Sequence, residues 1–341
     1  MTENWSLYHP EIPGFLRRLA ETPPMARLRQ VGMNCGCEYT SFPRFAGWAP
    51  YSRFDHSLGV ALIVWHFTGD IRQSAAGLLH DVATPAFAHV VDFLHGDHLR
   101  QASTEARTAE LIGRSPELQA LLGEYGLTTE DVADCHRYPI ADNDSPQLSA
   151  DRLEYTLGDL RCYGFADGGT VRAFYEDLTV GQDEAGRPEL AFRTPETARA
   201  FAEAALSVSR VYVADEDRFA MQALADLLRD AVGREVLTED DLYQTEPFAI
   251  QKLEADPASA ARWRRFRRFC RVERSADRPE GGIWYRIPAK LRYIDPLVAG
   301  RGRVSRLDAG IRQAQETFLA TDFACWIGVP EDTVEERGDI F

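Results

Sequence analysis

Lysine is almost missing from this chain. Only Lys252 and Lys290 occur, so nearly all of the 38 basic residues are arginines. Neither lysine follows a glycine-rich loop, and a phosphate-cradling P-loop needs one there, which excludes that class of ATPase and GTPase. The six cysteines, Cys35, Cys37, Cys135, Cys162, Cys270 and Cys325, form no C-x-x-C pair. A zinc ribbon or a thioredoxin-like motif is therefore not expected, and Cys35-x-Cys37 reads as ordinary reduced thiols. The longest apolar run, around 60–65, is far shorter than the roughly 20 residues of a bilayer span, so no membrane partner is expected. The first residues lack the basic-then-apolar pattern of a secretion leader, and the expected location is the cytoplasm. Positive charge is also in deficit. With 53 acidic side chains the net charge is −15, which repels duplex nucleic acid unless a local basic groove exists.

What is present suits a folded protein. Hydrophobic residues make up 45% and charged residues 27% of 341, enough for one large domain or two smaller ones. Histidine is unevenly spread: seven of the eight lie between His56 and His136, and none follows. Histidine-dependent chemistry, metal binding or proton transfer, therefore belongs to the N-terminal half.

The apolar period is mostly 3.6, which predicts helices over 24–31, 53–67, 71–80, 85–95, 104–112, 115–125, 128–135 and 148–160. Thr84-Pro85 reads as an N-cap followed by proline at the first helical position. Over 170–192 the pattern shifts towards alternation, with a turn at 183–186, and predicts a hairpin. Helices follow over 195–213, 215–232 and 238–254, then a mixed stretch with strands over 283–287 and 291–294. The expected fold is mainly α: a helical domain over 1–255, its chemistry concentrated at about 50–165, then a mixed α/β region over 256–341.

Four residues stand out as a potential donor set: His56, His80, Asp81 and Asp151. Two neutral imidazoles and two carboxylates suit a divalent transition metal and leave positions open for water or substrate. His80 and Asp81 are neighbours and diverge by about 100° on a regular helix, so they can share a target only at a helix end, where 71–80 is expected to stop. His89 and Asp92 lie three apart, where a carboxylate can hold one ring nitrogen and leave the other for proton transfer. Arg53, three residues before His56, could clamp a phosphate. Periodicity alone does not select these residues, and His66, His95 and His136 read as surface or packed histidines.

Arg53-Phe54-Asp55-His56-Ser57-Leu58-Gly59-Val60 resembles the R-F-E-H-S-L-G-V motif of HD-domain phosphohydrolases, and more narrowly the dNTP triphosphohydrolase branch that includes the sterile-alpha-motif HD enzymes. Ala76-Gly77-Leu78-Leu79-His80-Asp81 resembles the second motif, Ala86-Phe87-Ala88-His89 its P-F-S-H, and Asp151-Arg152-Leu153-Glu154-Tyr155 its D-[KR]-x-D-Y. Upstream, Thr22-Pro23 and Arg27-Leu28-Arg29 match its T-P-x-x-x-R-L-R, and Ser209-Arg210-Val211-Tyr212 resembles a basic-plus-Tyr helix. The match spans about 10–250. It implies a helical HD core holding one divalent metal ion (Fe, Mn, Mg, Ni, Co or Zn) through His56, His80, Asp81 and Asp151. It implies hydrolysis of a phosphate ester, with His89 and Asp92 in proton transfer and Arg53, Arg152, Tyr155 and Asp159 contacting phosphate or sugar. The implied partner is a nucleotide or another phosphorylated small molecule, and the family's habit of self-association extends here as an expectation of a homo-oligomer.

The departures fall on the substrate side. Ala83-Thr84 stands where the family often has Gly-His, Thr104-Glu105 replaces a His-Glu pair, Met33-Asn34-Cys35 takes the place of a sugar-reading Gln-Leu-Gly, a short insertion precedes Arg53, and Glu154 replaces an Asp. The resulting expectation is a metal-dependent nucleotide hydrolase, foremost of a (deoxy)nucleoside triphosphate, with relaxed sugar reading. The rivals are a phosphatase or phosphodiesterase on another small ester, and a non-catalytic nucleotide-binding regulator. The arginine-rich stretch 262–271 is expected to be an amphipathic helix with Trp263, Phe266 and Cys270 inward; its alternative is a nucleotide or nucleic-acid contact.

Overall fold

In the computed structural model, which describes residues 5–96, 99 and 107–331, sixteen α-helices and seven short strands are found among the described residues. The fold is mainly α with small sheets, as the apolar periodicity predicts. Two short helices, α1 (Gly14–Ala20) and α2 (Pro23–Arg27), precede a long irregular segment. Then come α3 (Arg53–Thr68), α4 (Ile71–Leu79), α5 (Val90–His95), α6 (Thr108–Arg114), α7 (Pro116–Glu124), α8 (Thr129–Val132), α9 (Ala150–Cys162) and α10 (Gly168–Glu176). A hairpin of β1 (Leu178–Gln182) and β2 (Pro188–Phe192) leads to α11 (Pro195–Tyr212), α12 (Asp215–Gly233), α13 (Glu246–Ala255) and α14 (Pro257–Arg267). The last region carries β3 (Glu273–Ser275), β4 (Ile283–Tyr285), β5 (Leu297–Val298), β6 (Gly302–Arg303), α15 (Val304–Leu307), α16 (Ala309–Leu319) and β7 (Trp326–Val329).

Helix α3 is the axis of the fold. Its residues from Phe54 to Val64 are buried on every face apart from Asp55, the pattern of a helix surrounded by others. It starts sharply because Ser52 and Asp55 form a capping box, and it stops at Gly69 in the left-handed region. Asp70 then caps α4 by accepting from the Arg72 and Gln73 amides at 2.8 and 3.1 Å. On the other side α3 meets α9 across Gly59, where a Cβ would lie 2.5 Å from Glu154 Oε1. Only glycine lets that carboxylate approach α3.

Two apolar clusters fill the interior. One joins α1, α3, α4, α9, α11 and the hairpin. The other joins α5, α12, α13, α14 and the three-stranded antiparallel sheet β3-β7-β4, so Trp263 and Phe266 pack in one cluster with Phe87, Phe219, Ile327 and Val329. The second sheet, β1-β2-β5-β6, pairs the hairpin in parallel with Leu297 and Val298 of the C-terminal region. No helix among the described residues is long and apolar enough to cross a membrane.

Several local expectations are corrected. The segment 85–89 is not helical: Phe87 and Ala88 have φ of 63° and 48°, and α5 begins only at Val90. Residues 168–176 form a helix rather than the first arm of a strand. Asp167 caps the Thr170 amide at 2.7 Å, and Val171, Phe174 and Tyr175 are buried at i, i+3 and i+4. The expected helix over 238–254 is broken into a 3₁₀ turn, Asp240–Tyr243, and α13, because Thr245 caps a new start with proline behind it. Residues 291–294 have no strand partner among the described residues; the Ile294 carbonyl accepts instead from Gln315 Nε2 at 3.2 Å, and pairing begins at Leu297. Past the end of α14, Phe269 rather than Cys270 turns inward, 4% exposed. Thr104 and Glu105 lie outside the described residues, and the helix expected over 104–112 is seen from Thr108.

Candidate metal centre and its cavity

His56 projects from the first turn of α3, His80 and Asp81 follow the last residue of α4, and Asp151 stands in the first turn of α9. The helix end at Leu79 is what lets two consecutive side chains turn to one point. His56 Nε2 lies 3.0 Å from Asp151 Oδ1 and 3.2 Å from His80 Nε2, and His80 Nε2 lies 3.4 Å from the same Asp151 oxygen. Asp81 Oδ2 is 3.9 Å from His56 Nε2 and 3.7 Å from His80 Nε2.

Each ligand-type group is oriented from behind. His80 Nδ1 is 2.8 Å from the Gly77 carbonyl, to which it donates, leaving Nε2 to face the cluster. His56 Nδ1 lies 2.6 Å from Glu154 Oε2. Glu154 is in turn held by the hydroxyls of Tyr51 and Tyr8. Asp81 accepts from Arg53 Nη1 at 2.9 Å and from the Thr84 hydroxyl at 2.8 Å. Arg27, from the upstream motif, donates to the Val82 and Thr84 carbonyls at 3.0 and 2.7 Å and so pins the loop after Asp81.

The donor set fits a divalent transition metal. Two imidazole nitrogens whose lone pairs meet at about 3 Å need a cation between them, and one ligand atom each of His56, His80 and Asp151 lies within 4.8 Å of the others. In the bare protein a proton serves. Burial disfavours charge on His56, but Asp151 and Glu154 outweigh it and hold its pKa up at about 10. Burial likewise opposes charge on Asp81 and Asp151, yet Arg53 and the two imidazoles lower the Asp81 carboxyl, and the two imidazoles the Asp151 carboxyl, below the usual range. A metal must displace the proton, so its binding weakens with acid.

The cluster opens into a cavity of about 570 Å³. Arg53, His89, Arg152, Tyr155 and Asp159, all expected to be functional, line it. His89 Nδ1 lies 2.9 Å from Asp92 Oδ2, so the pair forms although the helix begins only at Val90, after His89; Asp92 is fully buried. Burial, joined by the positive charges of Arg292 and Arg53, outweighs Asp92 and lowers the His89 pKa. Arg152 does not reach across the cavity. Its guanidinium is bound by Asn143 Oδ1 at 2.7 Å, Asp142 Oδ1 at 3.1 Å and Ser149 Oγ at 3.0 Å. Asp159 is buried and accepts from the Tyr212 hydroxyl; burial pushes its pKa up to about 7. Of the basic-plus-Tyr segment, only Tyr212 faces the cavity, while Arg210 is exposed.

Sequence reasoning misses three parts of the site. Glu154, read only as a departure from a motif Asp, lies behind His56 rather than on the cavity wall and is the group that orients it. Lys290 and Arg292 reach the cavity from the C-terminal region, and Asp217 and Met221 from α12, with no local signal to mark them. Met33, Asn34 and Cys35, identified as changed positions, do line the cavity.

No family model matches the chain. It is 30% identical over 250 residues to the uncharacterized protein YdhJ of Bacillus subtilis, covering 72% of each chain, and it belongs to the same family as that protein. It is also 25% identical over 276 residues to the metal-dependent phosphohydrolase cns2 of Cordyceps militaris, covering 76% of this chain and 74% of the relative. With the histidine–aspartate cluster, this likeness supports an HD-type phosphohydrolase that uses a divalent metal.

The bond between His56 and Glu154 has a measurable effect. Groups that orient a metal-ligating histidine are typically worth 10–100-fold in metal affinity. Glu154→Gln is expected to weaken binding by about that factor without abolishing it, read by competition with a chelator.

Proposed function

We propose that the protein is a metal-dependent HD phosphohydrolase acting on a nucleotide, foremost a (deoxy)nucleoside triphosphate. The observation that carries this reading is the shared cavity: the His56–His80–Asp151 cluster opens into the same space as Arg53, Lys290, Arg292, Tyr155 and Trp48. Cations suit a phosphate chain and aromatic rings suit a base or sugar, and the volume falls within the roughly 300–1,000 Å³ of small-ligand sites. His56, His80 and Asp151 would hold the metal, with Asp81 the fourth candidate. When bound, the ion would lower the pKa of a water and polarise the phosphoryl group.

The chain's own residues supply the rest. Arg53, held by Asp81, keeps positive charge beside the cluster and favours an anionic substrate. His89, with its Nδ1 side facing Asp92, presents Nε2 as the proton-transfer atom. The Asp159 Oδ1 oxygen and the Tyr212 hydroxyl oxygen, whose proton goes to Asp159 Oδ2, offer acceptor positions for sugar hydroxyls. Arg152 acts indirectly, fixing the 142–149 segment that leads into Asp151. That commitment of Arg152 favours a second reading, a smaller phosphate ester needing fewer phosphate contacts.

The test is a turnover screen of nucleotides and simple phosphate esters with Mn, Fe, Co, Ni, Zn and Mg. At least one nucleotide is expected to turn over. The ribose–deoxyribose ratio in kcat/KM is expected to be small, because Met33, Asn34 and Cys35 stand where the family's sugar readers stand. Strong preference for one deoxynucleotide would refute the relaxed reading. Activity confined to non-nucleotide esters would move the protein to the second reading.

A further inference from the structure

A second group of ligand-type side chains lies on the wall of the same cavity. Cys135 Sγ, a ring nitrogen of His136 and a carboxylate oxygen of Asp142 all lie within 4.8 Å of one another. Cys135 and His136 belong to a 3₁₀ turn that Asp134 caps by accepting from the His136 amide at 3.1 Å. Asp142 comes from the segment that leads to α9.

The three groups are set by their surroundings. His136 Nε2 is 3.0 Å from Asp142 Oδ2, while its Nδ1 lies 3.4 Å from Asp134 Oδ1. This is the arrangement in which one carboxylate steadies the rear nitrogen of a ligating imidazole and the front nitrogen faces the ion. Asp142 is steadied as well. Its Oδ1 accepts from Arg152 Nη1 at 3.1 Å, the Ser149 hydroxyl at 3.2 Å and the Asn143 amide at 2.8 Å, so Oδ2 is the oxygen turned to His136. Two ring nitrogens and two carboxylate oxygens thus have assigned partners, and the Cys135 thiol lies within 4.8 Å of a ring nitrogen and a carboxylate oxygen of this pair.

We propose that Cys135, His136 and Asp142 form a second metal site, separate from the His56 cluster, for a borderline-soft divalent ion such as zinc. A sulfur, a nitrogen and an oxygen donor suit zinc or cobalt and not magnesium or calcium. Three protein donors leave a fourth position, and because all three residues line the cavity, that position faces substrate or water. Thiolate and carboxylate neutralise a dication, while the Arg152 guanidinium on Asp142 adds positive charge beside the site, as Arg53 does on Asp81 of the His56 cluster. An ion here would add charge to the cavity wall beside Arg152, giving an anionic substrate a second attachment. That attachment of an anionic substrate rests on the function proposed for the His56 cluster, whereas the metal site itself does not.

The thiol makes the site separately visible. The full chain, stripped of metal, is titrated with Co²⁺ and followed by absorbance. The expected result is a thiolate-to-cobalt charge-transfer band in the near ultraviolet that saturates at about one thiolate-bound cobalt per chain. The band is expected to vanish in Cys135→Ser, to need at least about tenfold more cobalt in His136→Ala and Asp142→Asn, and to persist in Asp151→Asn, which disables the other cluster. His136 is half-exposed, so its replacement leaves the fold intact and decides the matter if Cys135→Ser fails to fold. No band at saturating cobalt overturns the proposal. A band that survives Cys135→Ser also overturns it and points to Cys35, the other thiol of the cavity wall. Loss of the band in Asp151→Asn overturns the separateness of the two sites.

Discussion

Asp151→Asn is expected to leave the protein folded, without its tightly held metal and without turnover. Among the described residues, Asp151 Oδ1 is the one carboxylate oxygen within 3.4 Å of both imidazole nitrogens, so its charge and position join His56 to His80. An amide there keeps the shape but gives up the negative charge and turns a neutral oxygen or an NH₂ to the cluster. The cluster then has Asp81 as its single carboxylate, and Asp81 already bears a bond from Arg53. His56→Ala removes a ligand outright and is expected to give the same loss, with an added cost to the fold. Breaking a buried charge pair typically costs about 3–5 kcal/mol, and Glu154 would keep only its tyrosine partners. Metal content by mass spectrometry, beside a thermal melt, separates the two effects. Asp151→Asn should lower the metal content with little change in Tm, and His56→Ala should lower both. Unchanged metal in both variants would remove His56 and Asp151 from the ligand set.

The parts of this site differ in how openly the sequence displays them. Helices α3, α4 and α9 are readable because each has a strong cap, Ser52, Asp70 and Ser149, next to a 3.6-residue apolar period. The His80–Asp81 pair is readable because it closes such a period. The turn at 85–89 is not, since Phe87 and Ala88 occupy the left-handed region without being glycine or asparagine, and Thr84-Pro85 imitates a helix start. Tertiary packing decides there: both side chains are fully buried, and Phe87 sits against Tyr39 and Trp263. The stretch at 168–176 misleads for another reason. Val171, Ala173 and Tyr175 alternate, but Val171, Phe174 and Tyr175 also fit a helix, and a short segment does not separate the two periods. Glu154 is hidden because its role depends on a glycine on another helix. Lys290 and Arg292 are hidden because they join the cavity from more than a hundred residues away in sequence, through the parallel pairing of β2 with β5 and the packing of α16 against α11.

His89→Ala is expected to keep the metal and lose about 10²–10⁴-fold in kcat, the usual contribution of a positioned acid–base group. His89 stands on the cavity wall without belonging to the ligand cluster, so metal content should not change. Its protonation gives the prediction a second, independent readout. Burial and the charges of Arg292 and Arg53 lower its pKa below the ordinary 6.5, so the ring is neutral across the neutral range. As a base it must be neutral to act. Activity should therefore rise with pH through that depressed pKa and be level by neutrality, and His89→Ala should lose this acidic limb together with most of its rate. Replacing Arg292 by Gln removes one of the charges that lower the pKa, so the limb should move to higher pH while the metal stays bound. Asp92→Asn works in the opposite sense: it removes the carboxylate that favours the charged ring, and the limb should move to lower pH. Opposite displacements in these two variants, in profiles of kcat/KM against pH, would place the proton on His89. A limb that stays fixed in both, or full activity in His89→Ala, would reduce His89 to a packing residue.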